Sequence, residues 1–153
     1  MKKLLVLFIC IAFVIGVSAM NQKDEKIPAA AKSGFAAKFP TAEKVKWSVE
    51  KPGEFEAEYK LNGVASSVLL DAKGNVIENE TEIKESELPQ GVKTAIAKDF
   101  SGYKLDEIEK AIDAKGVTSF EMEATKGKNK LKISFDMNGK LLVKKPLKED
   151  EKD

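Results

Sequence analysis

The strongest constraint on this chain is that it repeats itself. Ile27-Pro28-Ala29-Ala30-Ala31-Lys32 returns 61 residues later as Leu88-Pro89-Gln90-Gly91-Val92-Lys93, and Lys38-Phe39-Pro40 falls on Asp99-Phe100-Ser101 at the same shift. Phe55-Glu56-Ala57-Glu58 and Asp71-Ala72-Lys73-Gly74 recur as Phe120-Glu121-Met122-Glu123 and Asp136-Met137-Asn138-Gly139, now 65 residues on. One insertion, at residues 113–116, accounts for the change of shift. Order and spacing kept over such a length predict two copies of one unit, at residues 27–83 and 88–147.

Each copy reads as a helix followed by four strands. A proline two residues into each helical pattern suits the first turn, where a missing N–H costs nothing. Ala31, Phe35 and Phe39, and then Val92, Ile96 and Phe100, recur every four residues and give each helix one apolar stripe. Alternation follows: Val45, Trp47 and Val49, then Phe55, Ala57 and Tyr59, with lysine, serine and glutamate between them. Pro52-Gly53 and Asn62-Gly63 are turn signals, and Asp71-Ala72-Lys73-Gly74 opens on Asp and closes on Gly as a turn requires. The second copy alternates in the same way through Phe120, Met122 and Ala124, then Leu131, Ile133 and Phe135. The predicted class is α+β, with helices on one face of an antiparallel sheet.

The N-terminus carries an address. Met1-Lys2-Lys3 is basic, residues 4–17 are apolar apart from Cys10 and Gly16, and Val17-Ser18-Ala19 puts small residues where a signal peptidase reads. Cleavage is expected after Ala19, since the apolar run is short of the roughly 20 residues a membrane span needs. Loss of residues 1–19 removes the one cysteine and turns the formal charge from +1 to −1. The mature domain must then be held by its core, without disulfides. Residues 148–153 are all charged and read as a disordered tail.

Composition closes off most chemistry. Histidine is absent and all 26 basic residues are lysines. His-based triads, cysteine nucleophiles, His/Cys metal sites and arginine phosphate clamps are therefore excluded from the mature chain. The balanced charge offers no field for nucleic acid, and Lys126-Gly127-Lys128-Asn129-Lys130 lacks the aromatic partners such a site uses.

The residues also carry a resemblance. An Ile-Pro or Leu-Pro start, the helix end Lys38-Phe39-Pro40, then Val45-Lys46-Trp47, Phe55-Glu56-Ala57-Glu58-Tyr59 and Asp71-Ala72-Lys73-Gly74 make the chain similar to the PepSY-like exported bacterial proteins. The fold of that family is like that of the beta-lactamase inhibitor protein. Residues 27–76 and 88–141 match best. The resemblance implies one continuous sheet, helices on one face and a concave face left open, which in the inhibitor grips an enzyme. It supplies no catalytic residues and no binding motif that this sequence shares.

Carboxylates are the remaining reactive groups. Glu54, Glu56 and Glu58 share one strand face at about 7 Å intervals, a spacing compatible with a glycosidase pair or a weak calcium site. Lysines on the neighbouring strands favour instead a solvated face with offset charge; Glu121 and Glu123 beside Lys130 and Lys132 repeat the arrangement. Residues 71–75 and 136–140 look like calcium loops, but a lysine or lysine-flanked turn stands where a ligand is needed, so both read as hairpin turns.

On the strand face away from Val68 and Leu70, copy one carries Ala65, Ser67, Leu69 and Ile77, whereas copy two carries Lys130, Lys132, Ser134 and Leu142. An exposed apolar strip of that kind is expected to mark a protein contact. The expected function is an exported, non-enzymatic binding module, inhibitor-like, that meets another exported or envelope protein through Ala65, Ser67, Leu69, Ile77, Glu56 and Glu58. The alternative is a small-ligand or cation (calcium) binder on the glutamate-rich face. No cofactor, nucleic acid or membrane is expected to bind the mature chain, and a monomer is expected.

Overall fold

The structure is a computed structural model that describes residues 26–147; the leader at 1–19, its cleavage point and the tail at 148–153 lie outside the described residues. In chain order the elements are α1 (Ala29–Lys38), β1 (Glu43–Lys51), β2 (Glu54–Leu61), β3 (Val64–Asp71), β4 (Val76–Glu82), a 3-10 turn (Glu85–Glu87), α2 (Gln90–Asp99), β5 (Lys104–Asp113), β6 (Thr118–Lys126), β7 (Asn129–Asp136) and β8 (Leu141–Pro146). The eight strands form one open antiparallel sheet in sequence order, an α+β fold. The β4–β5 ladder, running from Glu78↔Asp113 to Glu82↔Glu109, joins the two halves without a break.

Local chemistry explains the boundaries. Pro28 and Pro89 cap the helices from just outside, one position earlier than first-turn prolines would sit. Their carbonyls accept from the N–H groups of Lys32 and Lys93. Asn62 and Gly63 both adopt positive φ, 53° and 83°, as the tight β2–β3 hairpin demands. In the turns after β3, β5 and β7, the carboxylates of Asp71, Asp113 and Asp136 each accept two backbone N–H bonds at 2.8–3.0 Å. Those aspartates are committed to holding turns, and the calcium-loop look of 71–75 and 136–140 has no further meaning.

Register assigns the faces. Directly paired residues share a side of the sheet, so Phe55↔Leu70, Ala57↔Val68, Asn79↔Ile112, Phe120↔Phe135 and Met122↔Ile133 trace one continuous face. Both helices lie on it. Phe35 packs with Ala57, Tyr59, Val68 and Leu70, and its ring meets Trp47 and Tyr59 edge-on at 5.5 and 5.2 Å. Val92 and Phe100 join Phe120, Met122, Ala124, Leu131, Ile133 and Phe135. Two turns touch the helices through backbone: a Cβ on Gly34 would overlap Gly74, and one on Gly91 would overlap Asn138.

The sheet is curled. Were it flat, β1 and β5 would stand about 19 Å apart, four strand spacings. Lys44 and Lys46 of β1 nevertheless line one cavity with Glu107 and Glu109 of β5. Lys132 of β7 acts on Glu50 of β1, across what a flat sheet would make about 29 Å, several screening lengths. Bulges at Glu43/Lys46 and Asp106/Glu109 supply part of the bend, with Lys44 and Glu107 in the left-handed region at φ 56° and 49°. The helix-free face lies on the inside of the curl.

Candidate functional site

The inside of the curl is made of alternate residues whose neighbours in sequence belong to the core. Cross-strand pairs place Ser48 against Glu56, Glu58 against Ser67, Leu69 against Glu78, Glu80 against Ala111, and Glu121 against Ser134 there. Curling crowds these side chains together. Leu69 is 4% exposed, Ser67 8%, Glu80 3% and Lys132 6%. The expected apolar strip is therefore not an exposed one: Leu69 and Ser67 face away from the helices, as their alternation requires, but they are buried. Ala65 is half-buried, and so is Ile77 in the bulge where β4 leaves register with β3.

The expected glutamate face with offsetting lysines holds in part: Glu58 is exposed and Lys132 pairs with Glu121 across strands, but that pair is buried and not solvated. Glu78, Glu80 and Glu121 bring carboxylate oxygens within 4.8 Å of one another. Ser67 Oγ donates to Glu80 Oε2 at 2.9 Å, Ser48 Oγ donates to Glu56 Oε2 at 3.4 Å, and Lys132 Nζ pairs with Glu121 Oε2 at 2.8 Å. Burial, and then the negative charge of Glu50, Glu80 and Glu58, push Glu56 up to about 7. Burial followed by Glu80 and Glu121 raises Glu78 to about 7. Glu109 rises to about 8, again from burial first and Glu80 next, with Lys132 opposing. Glu50 is raised by burial as well, and Lys132 counters it. A carboxylate away from water and beside like charge resists ionising, which explains each direction.

Beside this knot the face opens as a cavity of about 470 Å³. Glu56, Glu58, Ala65 and Ser67 line it, together with Glu82, Glu107, Glu109, Lys44, Lys46 and Lys60, and of these the three lysines, Glu58, Glu82 and Glu107 are exposed. Four of the six residues expected at the site thus share one cavity, and Leu69 and Ile77 are not among its lining residues. Glu54 is paired with Lys51 at 3.0 Å. Glu50, Glu78, Glu80, Glu107 and Glu109 were absent from the sequence expectation. The alternation of Glu78, Glu80 and Glu82 carried the same signal as Glu54, Glu56 and Glu58, but no sequence pattern shows that distant strands meet.

Known proteins are similar to the chain in sequence and in fold. Residues 63–143, more than half of it, match the family described as "Putative beta-lactamase-inhibitor-like, PepSY-like". The chain belongs to the PepSY-like family. Solved structures agree on the fold. A Bacteroides fragilis BLIP-like protein is 24% identical, with a TM-score of 0.67 over 82% of this chain and 92% of its own. A Bacteroides uniformis DUF2874 family protein is 22% identical, with a TM-score of 0.71 over 78% and 88%. A Bacteroides eggerthii chain, among "putative periplasmic proteins", is 19% identical, with a TM-score of 0.73 over 79% and 89%. No curated protein matches this PepSY-like chain in sequence. Among the described residues, no helix is long and apolar enough to cross a membrane.

Proposed function

We propose that this PepSY-like protein is an exported, periplasmic or secreted, non-enzymatic binding module that receives another protein on the inside of its curled sheet. The supporting observation is the cavity lined by Glu56, Glu58, Ala65 and Ser67 on the one large face that neither helix covers. The inhibitor-like description of the family and the periplasmic description of a structural neighbour are consistent with it, as is the leader-like N-terminus. The raised carboxyls alone do not make an enzyme: the mature chain brings no histidine, arginine or cysteine to work with them. The matching order of helix and strands in residues 27–83 and 88–147 is consistent with descent of the two halves from one repeated unit, and the cavity then marks where the copies diverged.

A cation reading has one specific observation in its favour, the approach of Glu78, Glu80 and Glu121. Lys132 weighs against it, because its ammonium already lies 2.8 Å from Glu121 where a calcium ion would have to compete. Calcium also needs six or more oxygens, which this knot does not offer beside an ammonium.

The test uses the mature chain as bait in a periplasmic extract, beside a variant with Glu58→Lys and Ala65→Lys at the cavity and a variant with Ser33→Lys on exposed α1. A partner held by the wild type and by Ser33→Lys, but lost with the cavity variant, is the expected result. A partner lost only with Ser33→Lys would move the contact to the helical side and defeat the proposal. Melting with and without millimolar calcium separates the second reading, since a ligand of the folded state alone must raise the melting temperature.

A further inference from the structure

β1 and β8 end the sheet, and each has a neighbouring strand on one side only among the described residues. Outer backbone groups of that kind invite pairing with another chain. The middle of the same sheet shows what such edges can do, because β4 and β5 hold the matching places in the two halves and pair from Glu78↔Asp113 to Glu82↔Glu109. In β3–β4, Ser66 stands opposite Thr81 and the register slips between Leu69 and Leu70; in β7–β8, Leu131 stands opposite Pro146 and the slip falls between Ser134 and Phe135. Likewise Lys110 stands opposite Phe120 as Val49 stands opposite Phe55. The eight strands alternate in direction, so β8 runs opposite to β1. Laid along β1 of a second copy, β8 would repeat the β4–β5 ladder, with Pro146 against Val49 where Thr81 meets Lys110.

Two residues stand in the way of that ladder. The Leu147 N–H donates inward to the Lys130 carbonyl at 2.9 Å, and donors alternate sides along a strand, so the nitrogen of Pro146 faces the outer edge. In the first half the Ile83 N–H donates across to the Ile108 carbonyl of β5 at 2.9 Å, and Thr81, two residues back, points the same way. Proline has no N–H to offer there and is tolerated in a sheet where that side meets solvent. Lys144 would in turn stand opposite Lys51 of the second copy, where Asn79 meets Ile112 within the chain, and like charges directly opposite are unfavourable. We infer that the outer edge of β8 fits the β1 edge of a second copy of this chain, and that Pro146 and Lys144 hold it shut. Without them the sheet would extend head to tail, a contact that propagates into rings or filaments. The inner-face cavity plays no part in this.

The experiment measures the mass of the mature chain by sedimentation from micromolar to millimolar concentration, with hydrogen exchange on the same samples. The wild type is expected to keep the mass of one chain. Pro146→Thr with Lys144→Asn copies the β4 residues onto β8, and its mass is expected to rise with concentration to twice that of one chain or more, while the amides of Val49 and Lys51 become protected. Pro146→Thr alone changes one exposed residue, leaves the Lys144 ammonium over the Phe100 ring at 5.4 Å, and is expected to associate more weakly. Val49→Pro, added to either variant, removes the outward N–H of β1 and is expected to restore the mass of one chain. Variants that keep that mass throughout would overturn the inference. Protection of Val49 and Lys51 at unchanged mass would mean that the sheet closes on its own edge, and would overturn the choice of a second copy. Association that survives Val49→Pro would place the contact away from β1, and a wild type that already associates would deny Pro146 its role; either result overturns the proposal.

Discussion

Lys132 shows how much one side chain decides on the inside of this sheet. A lysine stem can reach far along a strand face, and here it delivers a buried ammonium to Glu121. Removal of one partner from such a pair leaves the other charged and dry, which typically costs about 3–5 kcal/mol. Lys132→Met is accordingly expected to destabilise the fold by about that much at neutral pH, a large share of the 5–15 kcal/mol a domain usually has. The double variant Lys132→Met with Glu121→Gln should recover most of the loss, because an uncharged pair needs no counter-ion. Urea unfolding of the three chains checks this, and equal loss in the single and double variants would mean that the ammonium matters chiefly to Glu50, Glu78 and Glu109 and not to Glu121. This residue's face was legible in sequence, since alternation put Lys130 and Lys132 opposite the core set. Its burial was not, because burial depends on a curl contributed by bulges at Lys44 and Glu107, two ordinary residues in left-handed backbone that no local sequence signal marks.

Elements were the most legible level, for a physical reason. Alternation, Asn-Gly and Asp-x-x-Gly turns and Pro-started helices are all decided within a few residues, so Phe55, Ala57 and Tyr59 face the core without reference to the rest of the chain. What joins the elements is set over longer range. Gly34 sits in mid-helix, where alanine would ordinarily be better by about 1 kcal/mol. The β3–β4 turn passes so close that a Cβ there would meet the Gly74 backbone, which cannot step aside as a flexible side chain can. Gly34→Ala is therefore expected to destabilise, by about 1–3 kcal/mol net of the helical gain. The matched control is Ala36→Gly, exposed on the same helix, which should lose only the propensity difference. If thermal melting showed Gly34→Ala to be stabilising, α1 would have to stand further off the sheet. This contact is not legible in the sequence, because a helical glycine reads as a weak spot until its neighbour is known.

On the scale of the whole molecule, the curl gathers carboxylates from β1, β2, β4, β5 and β6 that lie far apart in sequence, and it sets a pH dependence of unusual sign. Carboxyls in the unfolded chain titrate near 4.3, whereas Glu56 and Glu78 sit at about 7 and Glu109 at about 8 in the fold. Between those values the folded state holds protons that the unfolded state has released, so stability falls as pH rises. The decline should begin near pH 5, continue through 7 to 8 and then level off. Below pH 4 the opposite trend takes over, because the Asn75 side chain and the turn amides hold Asp71 below its usual value, and that contribution is lost on protonation. The three groups interact and are partly solvated, so the total is on the order of 3 kcal/mol, well short of the sum of their separate shifts. Chemical unfolding at intervals from pH 4 to 9 measures it directly. A flat profile between 5 and 8 would mean that water reaches these carboxylates and that the inner face is not desolvated.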